Sequence, residues 1–589
     1  MMLSVLRNVY RNTHVHNLKF NLTKCFSSNT SNIIYSSLSN VEIPEVKLHE
    51  LVYENYHKFP NKIAVECSST GKKYTFEEIR RKSNNLNKAL RKILGLKRND
   101  VLAFLLPNMP EFLICILGGL EADLTLTFIN PSYTPEEVKN QLLDSNAKTI
   151  VTLSVLNPLI DAALAGVKSK PPVVNIKLQH QEVLPENTID FHDLVNTRFD
   201  VKEVNSNDVN DTAFLLYSSG TTGKPKGVKL SHKNIVSNLC QVDHPMIRTG
   251  YDTTGYKLLY NTDEGKLSKL FVDSHQDVLP SILPWFHTSG LTVLLCHTRY
   301  LSKLISFVKF TPEAFINTII KCKPHLLFVV PSLVSFICNE KAIQKEHLEC
   351  VRALLCGAAP LGVLEEEKLS RKTNGRMDIL QAYGMTETSP FVLTVCSSRK
   401  KVLGFKGSVG EVIPNTAVKI VAVDDLNGDA LGPNTPGELF VKGPQVTAGY
   451  HNRTKESEEA FTDGWLKTGD LVYYDDNKQF YVQDRLKEII KVKGHQVAPA
   501  ELEDIIRTYP DVLDAAVIGV ANSRYGEVPH AYVVLKPNTK FDTKQLQDYV
   551  AGHVAEYKTL KGGVTIVQSI PKNASGKILR KDLKLQHKT

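Results

Sequence analysis

Between Leu215 and His232 the chain reads LLYSSGTTGKPKGVKLSH. An apolar strand runs into a loop of Ser218, Ser219, Gly220, Thr221, Thr222 and Gly223, where hydroxyls and glycine-exposed amides can converge on an anion. Lys224 and Lys226 add positive charge, and a triphosphate suits such a cradle. The Walker ending is absent, because Lys226 is followed by Gly227 and not by Ser or Thr. Taken alone, the same loop reads equally as a flexible turn. Four more segments carry groups able to do chemistry: QAYGMTETSP (Gln381 to Pro390), GWLKTGDL (Gly464 to Leu471), DRLKEIIKVKGHQVAPAELE (Asp484 to Glu503) and PKNASGKILRK (Pro571 to Lys581). Singly, each has a plain reading. Thr386-Glu387 after a glycine is a helix start, Asp470 with Arg485 a surface ion pair, and Lys577 one lysine of a basic tail.

Together, in this order, the five segments resemble the acyl-adenylate-forming enzymes, in the branch of 4-coumarate:CoA ligases, acyl-CoA synthetases and beetle luciferases. The resemblance runs from about Leu48 to the C-terminus. It implies a large N-terminal α/β domain, a small swinging C-terminal domain, and ATP, Mg²⁺ and coenzyme A acting on a small carboxylic acid. It further implies that Thr386 contacts the α-phosphate and Glu387 holds Mg²⁺. Tyr383 packs on adenine within the nucleotide segment Gln381, Ala382, Tyr383, Gly384, Met385, with Gly357, Ala358 and Ala359 as the adenine wall. Asp470 and Arg485 correspond to the pair on the ribose hydroxyls, a task suited to a carboxylate acceptor and a fixed guanidinium fork. Lys577 takes the central catalytic place. Carboxylate attack on the α-phosphate brings two anions together, and a positioned ammonium offsets the developing charge. Lys487 and Lys491 would line the nucleotide, Lys493 and Gly494 the thioester-forming face that meets coenzyme A, and Lys309 a weaker coenzyme A contact. His287, in PWFHTSGL, falls between acyl pocket and thiol channel by the same resemblance, though a lone His on an apolar run also reads as structural. Ser289 stands where plant coumarate ligases have a Tyr, which argues against coumarate itself.

Elements that would position these groups are legible as alternating helix and strand. Helical spacing covers Phe76 to Leu94, Pro135 to Asp144 and Pro312 to Cys322. Short apolar runs at Val101 to Leu106, Ile150 to Leu153, Ala213 to Tyr217, Ser281 to Phe286, Leu326 to Val330 and Ala353 to Cys356 close in Gly, Pro or Ser, as buried parallel strands do. The expectation is an α/β protein: a large doubly wound multi-layer domain over residues 42–485 and a small mobile α+β domain over 486–589. The small domain should hold a helix at Pro499 to Thr508 and strands at Ala515 to Val520 and Ala531 to Leu535. His244 to Gln276 is a polar connection longer than the ~15 residues usual without structure.

At 589 residues, 42% hydrophobic and 23% charged, the composition is that of a folded globular protein. The apolar stretch Phe112 to Leu120 is too short for the roughly 20 residues of a membrane span. Lys plus Arg exceed Asp plus Glu by 71 to 62, without the aromatic-interleaved basic cluster of a nucleic-acid binder. Ten Cys without a CxxC pair signal neither a zinc cage nor a redox dithiol. No acidic residue precedes Glu42, while Arg7, Arg11, Lys19 and Lys24 alternate with apolar and hydroxyl residues. That is the composition of a mitochondrial transit peptide over residues 1–41, and the chain ends His587-Lys588-Thr589, not in the peroxisomal Ser-Lys-Leu address. The expectation is an AMP-forming acid–thiol ligase of the mitochondrial matrix, its oligomeric state open. Two alternatives stand beside it: a luciferase-like monooxygenase, and a nucleotide-binding homologue without catalysis, against which Lys577 and Glu387 both weigh.

Overall fold

The computed structural model describes residues 32–179, 181–201, 207–218, 225–244, 247, 256–261, 266–271, 276–359, 361–395, 406–423, 428–493, 495–537, 539–573 and 576–588. The α/β architecture is the one expected, a large N-terminal domain followed by a smaller C-terminal one. A seven-stranded sheet runs in the order Lys226–Ser231, Thr212–Ser218, Thr125–Ile129, Val101–Leu105, Ala147–Leu153, Val173–Ile176, Ile189–Asp190. All pairings but the first are parallel. Covered on both faces, its central strands are nearly continuous apolar runs.

The stretch Phe112 to Leu120 is a core helix, Pro110–Glu121, buried from Pro110 to Leu120. It packs on the helix Phe76–Lys92, whose start is fixed by a capping box between Thr75 and Glu78. A Cβ on Gly118 would lie 2.9 Å from the Ser83 carbonyl oxygen, so glycine there permits the close approach. Phe104, Phe112, Phe128 and Phe214 then meet ring to ring, at 5.3 Å between Phe104 and Phe128 and 5.5 Å between Phe128 and Phe214. Each fully buried ring contributes roughly 1.5–3 kcal/mol.

A five-stranded sheet places Leu326–Val329, Ala353–Cys356 and Asp378–Gly384 in parallel, with Phe391–Thr394 and Glu411–Val412 added antiparallel. A six-stranded antiparallel sheet, absent from the sequence reading, joins Ala417–Val421, Gly437–Lys442, Trp465–Tyr474 and Phe480–Arg485. Its edge is Ile34–Tyr35, paired with Val418 and Ala417. Residues 32–41, assigned by composition to the leader, are therefore part of the body. Asn32 Nδ2 donates to the Ala430 carbonyl at 2.8 Å, Ser36 Oγ to Val412 at 2.7 Å, and the Val41 amide to Asn415 Oδ1 at 2.9 Å. Composition could not see this, because Ser and Asn satisfy a sheet edge as readily as they populate a tail.

One expected strand is displaced. The strand is Val278–Ser281, and the apolar run that follows is a loop. Asn108 holds it there, donating to the carbonyls of Ser281 (3.0 Å) and Leu283 (2.9 Å) and accepting the Trp285 amide at 2.8 Å. Within His244 to Gln276 a hairpin forms, Tyr256–Asn261 against Lys266–Phe271, paired with no other strand among the described residues. Sheet membership changes between Arg485 and Ile490. Beyond it, Ile490–Val492, His495–Val497, Val512–Asn522, Gly526–Leu535 and Val564–Ile566 form a separate sheet with helices Pro499–Arg507 and Thr543–Ala551 around its own core. No helix among the described residues is long and apolar enough to cross a membrane.

Candidate active site

The strand Thr212–Ser218 turns back into Lys226–Ser231 with Ser218 directly opposite Lys226, so the rim of the expected phosphate loop is fixed by sheet register. Ser219, Gly220, Thr221, Thr222 and Gly223, like Gly494, lie outside the described residues. Ser218 Oγ donates to Glu387 Oε1 at 3.5 Å, and Tyr450 Oη donates to the same oxygen at 3.0 Å. Lys226 Nζ lies 5.3 Å over the Tyr450 ring. Thr386 and Glu387 sit on a buried 3₁₀ turn, and desolvation raises the Glu387 pKa, partly offset by the Tyr450 hydroxyl. The sequence alone does not point to Tyr450. Its signal, a Gly-Tyr step before a polar turn, says nothing of a partner 63 residues away.

Among the described residues no group of three or more His, Cys, Asp or Glu gathers to hold a metal. A single buried carboxylate does fit Mg²⁺, which keeps most of its shell as water and substrate phosphate oxygens. Glu387, buried and within reach of the Ser218 and Tyr450 hydroxyls, is the residue that would hold it.

The strand Asp378–Gly384 carries the second group. Gln381 is buried and turned away from a ligand: its Oε1 accepts the Leu361 amide at 3.0 Å and its Nε2 donates to the Leu361 carbonyl at 3.3 Å. Its work is to hold the backbone of Leu361, two residues past the segment Gly357, Ala358 and Ala359. Ala358 there is exposed with φ +68°, and a Cβ on Gly357 would lie 3.6 Å from the carbonyl of buried Ala382. Tyr383 Oη donates to Asp470 Oδ2 at 2.6 Å, while Arg485 Nε meets Asp470 Oδ1 at 2.9 Å. Asp470 and Arg485 are cross-strand partners, which is why residues 15 apart in sequence form one pair. Burial, followed by the Asp470 charge, pushes the Tyr383 hydroxyl well above its usual range. Gly384 and Met385 lead into the 3₁₀ turn, where the Met385 amide donates to the Pro390 carbonyl at 3.1 Å.

Lys577 joins this group from the small domain. Gly576, at φ +79°, packs so closely that a Cβ would meet Val330 Cγ2 at 3.0 Å, which docks the lysine-bearing turn on the large domain. The Lys577 amide donates to Asn573 Oδ1 at 2.9 Å. Desolvation lowers the Lys577 pKa, followed by the Arg485 charge, with Glu488 and Asp470 opposing. His287 precedes the helix Thr288–Arg299. Its Nδ1 is 3.0 Å from Ser289 Oγ, and burial lowers its pKa to about 4, leaving the imidazole neutral.

Other expected residues lie apart. Lys487, Lys491, Lys493 and Lys309 are exposed, and no hydrogen bond or ion pair joins their side chains to Glu387, Asp470 or Lys577. Lys491 donates its amide to Glu527 Oε2 at 2.9 Å, and Lys493, at φ +47°, packs its ammonium 4.7 Å from the Tyr525 ring.

Comparison with known proteins identifies the lineage. The AMP-binding enzyme family model matches residues 52–451, and the model of the AMP-binding enzyme C-terminal domain matches 501–577. The probable 4-coumarate–CoA ligase 3 of Dictyostelium discoideum is 33% identical over 566 residues, covering 93% of this chain and 97% of that protein. The 4-coumarate–CoA ligase 1 of Arabidopsis thaliana is 34% identical over 578 residues, covering 96% and 97%. ATP-bound MatB from Rhodopseudomonas palustris superposes with a TM-score of 0.77 at 26% identity, covering 92% of this chain and 99% of that one. The protein belongs to the AMP-binding enzyme family, with its C-terminal domain present.

Proposed function

We propose that this protein is an ATP-dependent, AMP-forming acyl-CoA ligase that activates a carboxylic acid as its adenylate and passes the acyl group to coenzyme A. The observation that carries this reading is the gathering of Lys577 with the Tyr383–Asp470–Arg485 group, while Lys493 is exposed elsewhere on the same small domain. In the first step, Asp470 and Arg485 hold the ribose and Thr386 the α-phosphate. Lys577 offsets the charge that builds as the acid attacks, and pyrophosphate leaves. Mg²⁺ on Glu387 would supply charge neutralisation for the phosphates. Rotation about the linker from Asp484 to Lys487 then withdraws Lys577 and brings in the Lys493 face, where the thiol displaces AMP. Neutral His287, beside the helix that abuts Ser389 through Thr292, lies along the acyl side of the site.

The test is pyrophosphate release across a panel of carboxylic acids, followed by thioester formation on adding coenzyme A. Release with no thioester, together with oxygen uptake, would replace this reading by the monooxygenase; no release with any acid would leave a nucleotide-binding homologue. The mitochondrial matrix is the proposed location, supported by the acid-free stretch before Glu42. A diffuse or peroxisomal pattern of a C-terminal fusion would refute it.

A further inference from the structure

One tyrosine joins the turn that carries Glu387 to the strand that returns from the phosphate loop. Tyr450 lies in the segment Thr447 to His451, which is hydrogen-bonded to both. The Thr447 amide donates to the Glu387 carbonyl at 2.8 Å. On the strand Lys226–Ser231, the Lys229 amide donates to the Gly449 carbonyl at 3.1 Å, the His451 amide donates to the Gly227 carbonyl at 2.7 Å, and Tyr450 itself bridges Val228 in antiparallel fashion. Ser457 Oγ accepts the Tyr450 amide at 2.9 Å, and a Cβ on Gly449, at φ +139°, would lie 2.8 Å from that same oxygen. The backbone of Tyr450 is thus fixed by its neighbours on both elements.

From that fixed backbone the side chain reaches in two directions. Its ring carries Lys226 Nζ at 5.3 Å, and its hydroxyl donates to Glu387 Oε1 at 3.0 Å. A carboxylate can only accept, so the direction of the bond is settled, and a bond to a charged acceptor is the stronger kind. Ser218 Oγ, at 3.5 Å, is the weaker second donor to the same oxygen. No side chain among the described residues hydrogen-bonds the other oxygen, Oε2. Tyr450 also packs against the main core, a task a phenylalanine ring performs equally well. The hydroxyl is what packing does not explain.

We propose that Tyr450 is a positioning residue for Mg²⁺ binding: its hydroxyl holds Glu387 by Oε1, leaves Oε2 for the metal, and keeps that carboxylate in register with the phosphate-loop strand to which the Tyr450 backbone is paired. The inference rests on the acyl-CoA ligase reading, with Glu387 as the Mg²⁺ residue, and deepens it. A free glutamate side chain loses rotamer freedom when it takes a metal, whereas one already held by a hydroxyl has lost that freedom in the fold. Mg²⁺ demands near-ideal octahedral geometry, so the orientation of its one protein carboxylate counts.

The experiment reads binding and not turnover: calorimetry of ATP on the full chain, once with Mg²⁺ and once with a chelator, with no acid present. The quantity compared is the factor by which Mg²⁺ raises the affinity for ATP. Tyr450→Phe keeps the ring against Lys226 and removes only the hydroxyl; it should lower that factor ~10-fold, the scale of losing an outer partner of a metal ligand, and leave metal-free ATP binding unchanged. Glu387→Gln should lower the factor at least as far, and Tyr450→Phe/Glu387→Gln no further than Glu387→Gln alone, since the tyrosine acts through the carboxylate. The factor is internal to each protein, so a partly misfolded sample loses binding sites without changing it. An unchanged factor in Tyr450→Phe, equal weakening with and without Mg²⁺, or a further loss in the double variant overturns the positioning role while leaving the ligase reading intact. A wild-type protein that binds ATP alike with and without Mg²⁺, and releases no pyrophosphate with any acid, overturns both.

Discussion

Gly384→Ala adds one carbon where the backbone leaves no room. Built on the existing chain, the new Cβ lies 1.9 Å from the Pro390 carbonyl oxygen, 2.6 Å from the Pro390 carbonyl carbon and 3.1 Å from Phe391 Cα. To reach the 3.0 Å below which such contacts are essentially never found, the turn must open by about 1 Å. The obstacle is main chain, and it is pinned: the Pro390 carbonyl accepts the Met385 amide at 3.1 Å and also the Thr388 hydroxyl. Movement therefore carries Thr386 and Glu387 with it. A misplacement of about 1 Å costs ~100-fold in rate, about 2.7 kcal/mol, and overpacking costs ~1–3 kcal/mol of stability. ATP–pyrophosphate exchange at saturating acid measures the first, a thermal melt the second. Gly357→Ala is the comparison for stability alone: its Cβ would meet only the Ala382 carbonyl at 3.6 Å, an ordinary contact, and its melting temperature should stay near that of the wild type. A Gly384→Ala protein with exchange within about twofold of wild type would show that the turn is not the rigid support described.

Lys577→Ala should lower pyrophosphate exchange ~1,000-fold, the scale of a lost transition-state charge contact, while thioester formation from a supplied adenylate survives; equal loss in both halves would refute the role. Because burial lowers the Lys577 pKa, the charged form is lost early as pH rises, so wild-type exchange should decline on the alkaline side below the ordinary lysine range. Asp484, buried at the linker, has its pKa raised from 3.8 to about 6 by desolvation. The folded state thus holds the proton more tightly, and stability is lost as pH rises from about 4 through 6, by roughly 3 kcal/mol. Asp484→Asn should melt higher than wild type at pH 8 and alike at pH 4, and a pH-independent difference would count against it. Removing residues 1–41 strips the sheet-edge strand Ile34–Tyr35 and should lower the melting temperature by several degrees; an unchanged melt would place 32–41 outside the fold.

Much of this molecule is legible as short-range pattern. Runs such as Leu326–Val329 and Ala353–Cys356 declare themselves because a strand covered on both faces needs uninterrupted apolar residues and must stop at a breaker. The six-stranded antiparallel sheet does not, since its half-buried strands mix polar and apolar residues and its pairings reach from Ile34 to Val418. The run after Ser281 fails for another reason: one distant asparagine side chain, Asn108, supplies the hydrogen bonds that a neighbouring strand would have offered. In the site, the motifs name the peptides but not the contacts. Gln381 sits in a segment expected to bind nucleotide yet turns inward to Leu361, and Tyr450 meets Glu387 through a fold that no spacing encodes.

Arg485 and Asp484 are neighbours on a strand, so they face opposite ways. Arg485 reaches Asp470 in the large domain, whereas Asp484 accepts the Ala500 amide of the small domain at 3.0 Å and lies within the field of Arg580. The joint between the domains thus works like a two-pronged rivet, one prong set in each body. The ladder already carries an extra residue, Gln483, where the register shifts between Leu471 and Val472, so the way the two prongs face depends on that bulge as well as on residue alternation. The turn at Asp475–Lys478 holds the other end of the ladder, with Asp475 Oδ1 accepting the amides of Asn477 and Gln479 at 2.9 Å each, so the joint's geometry is tied to the length of that turn too.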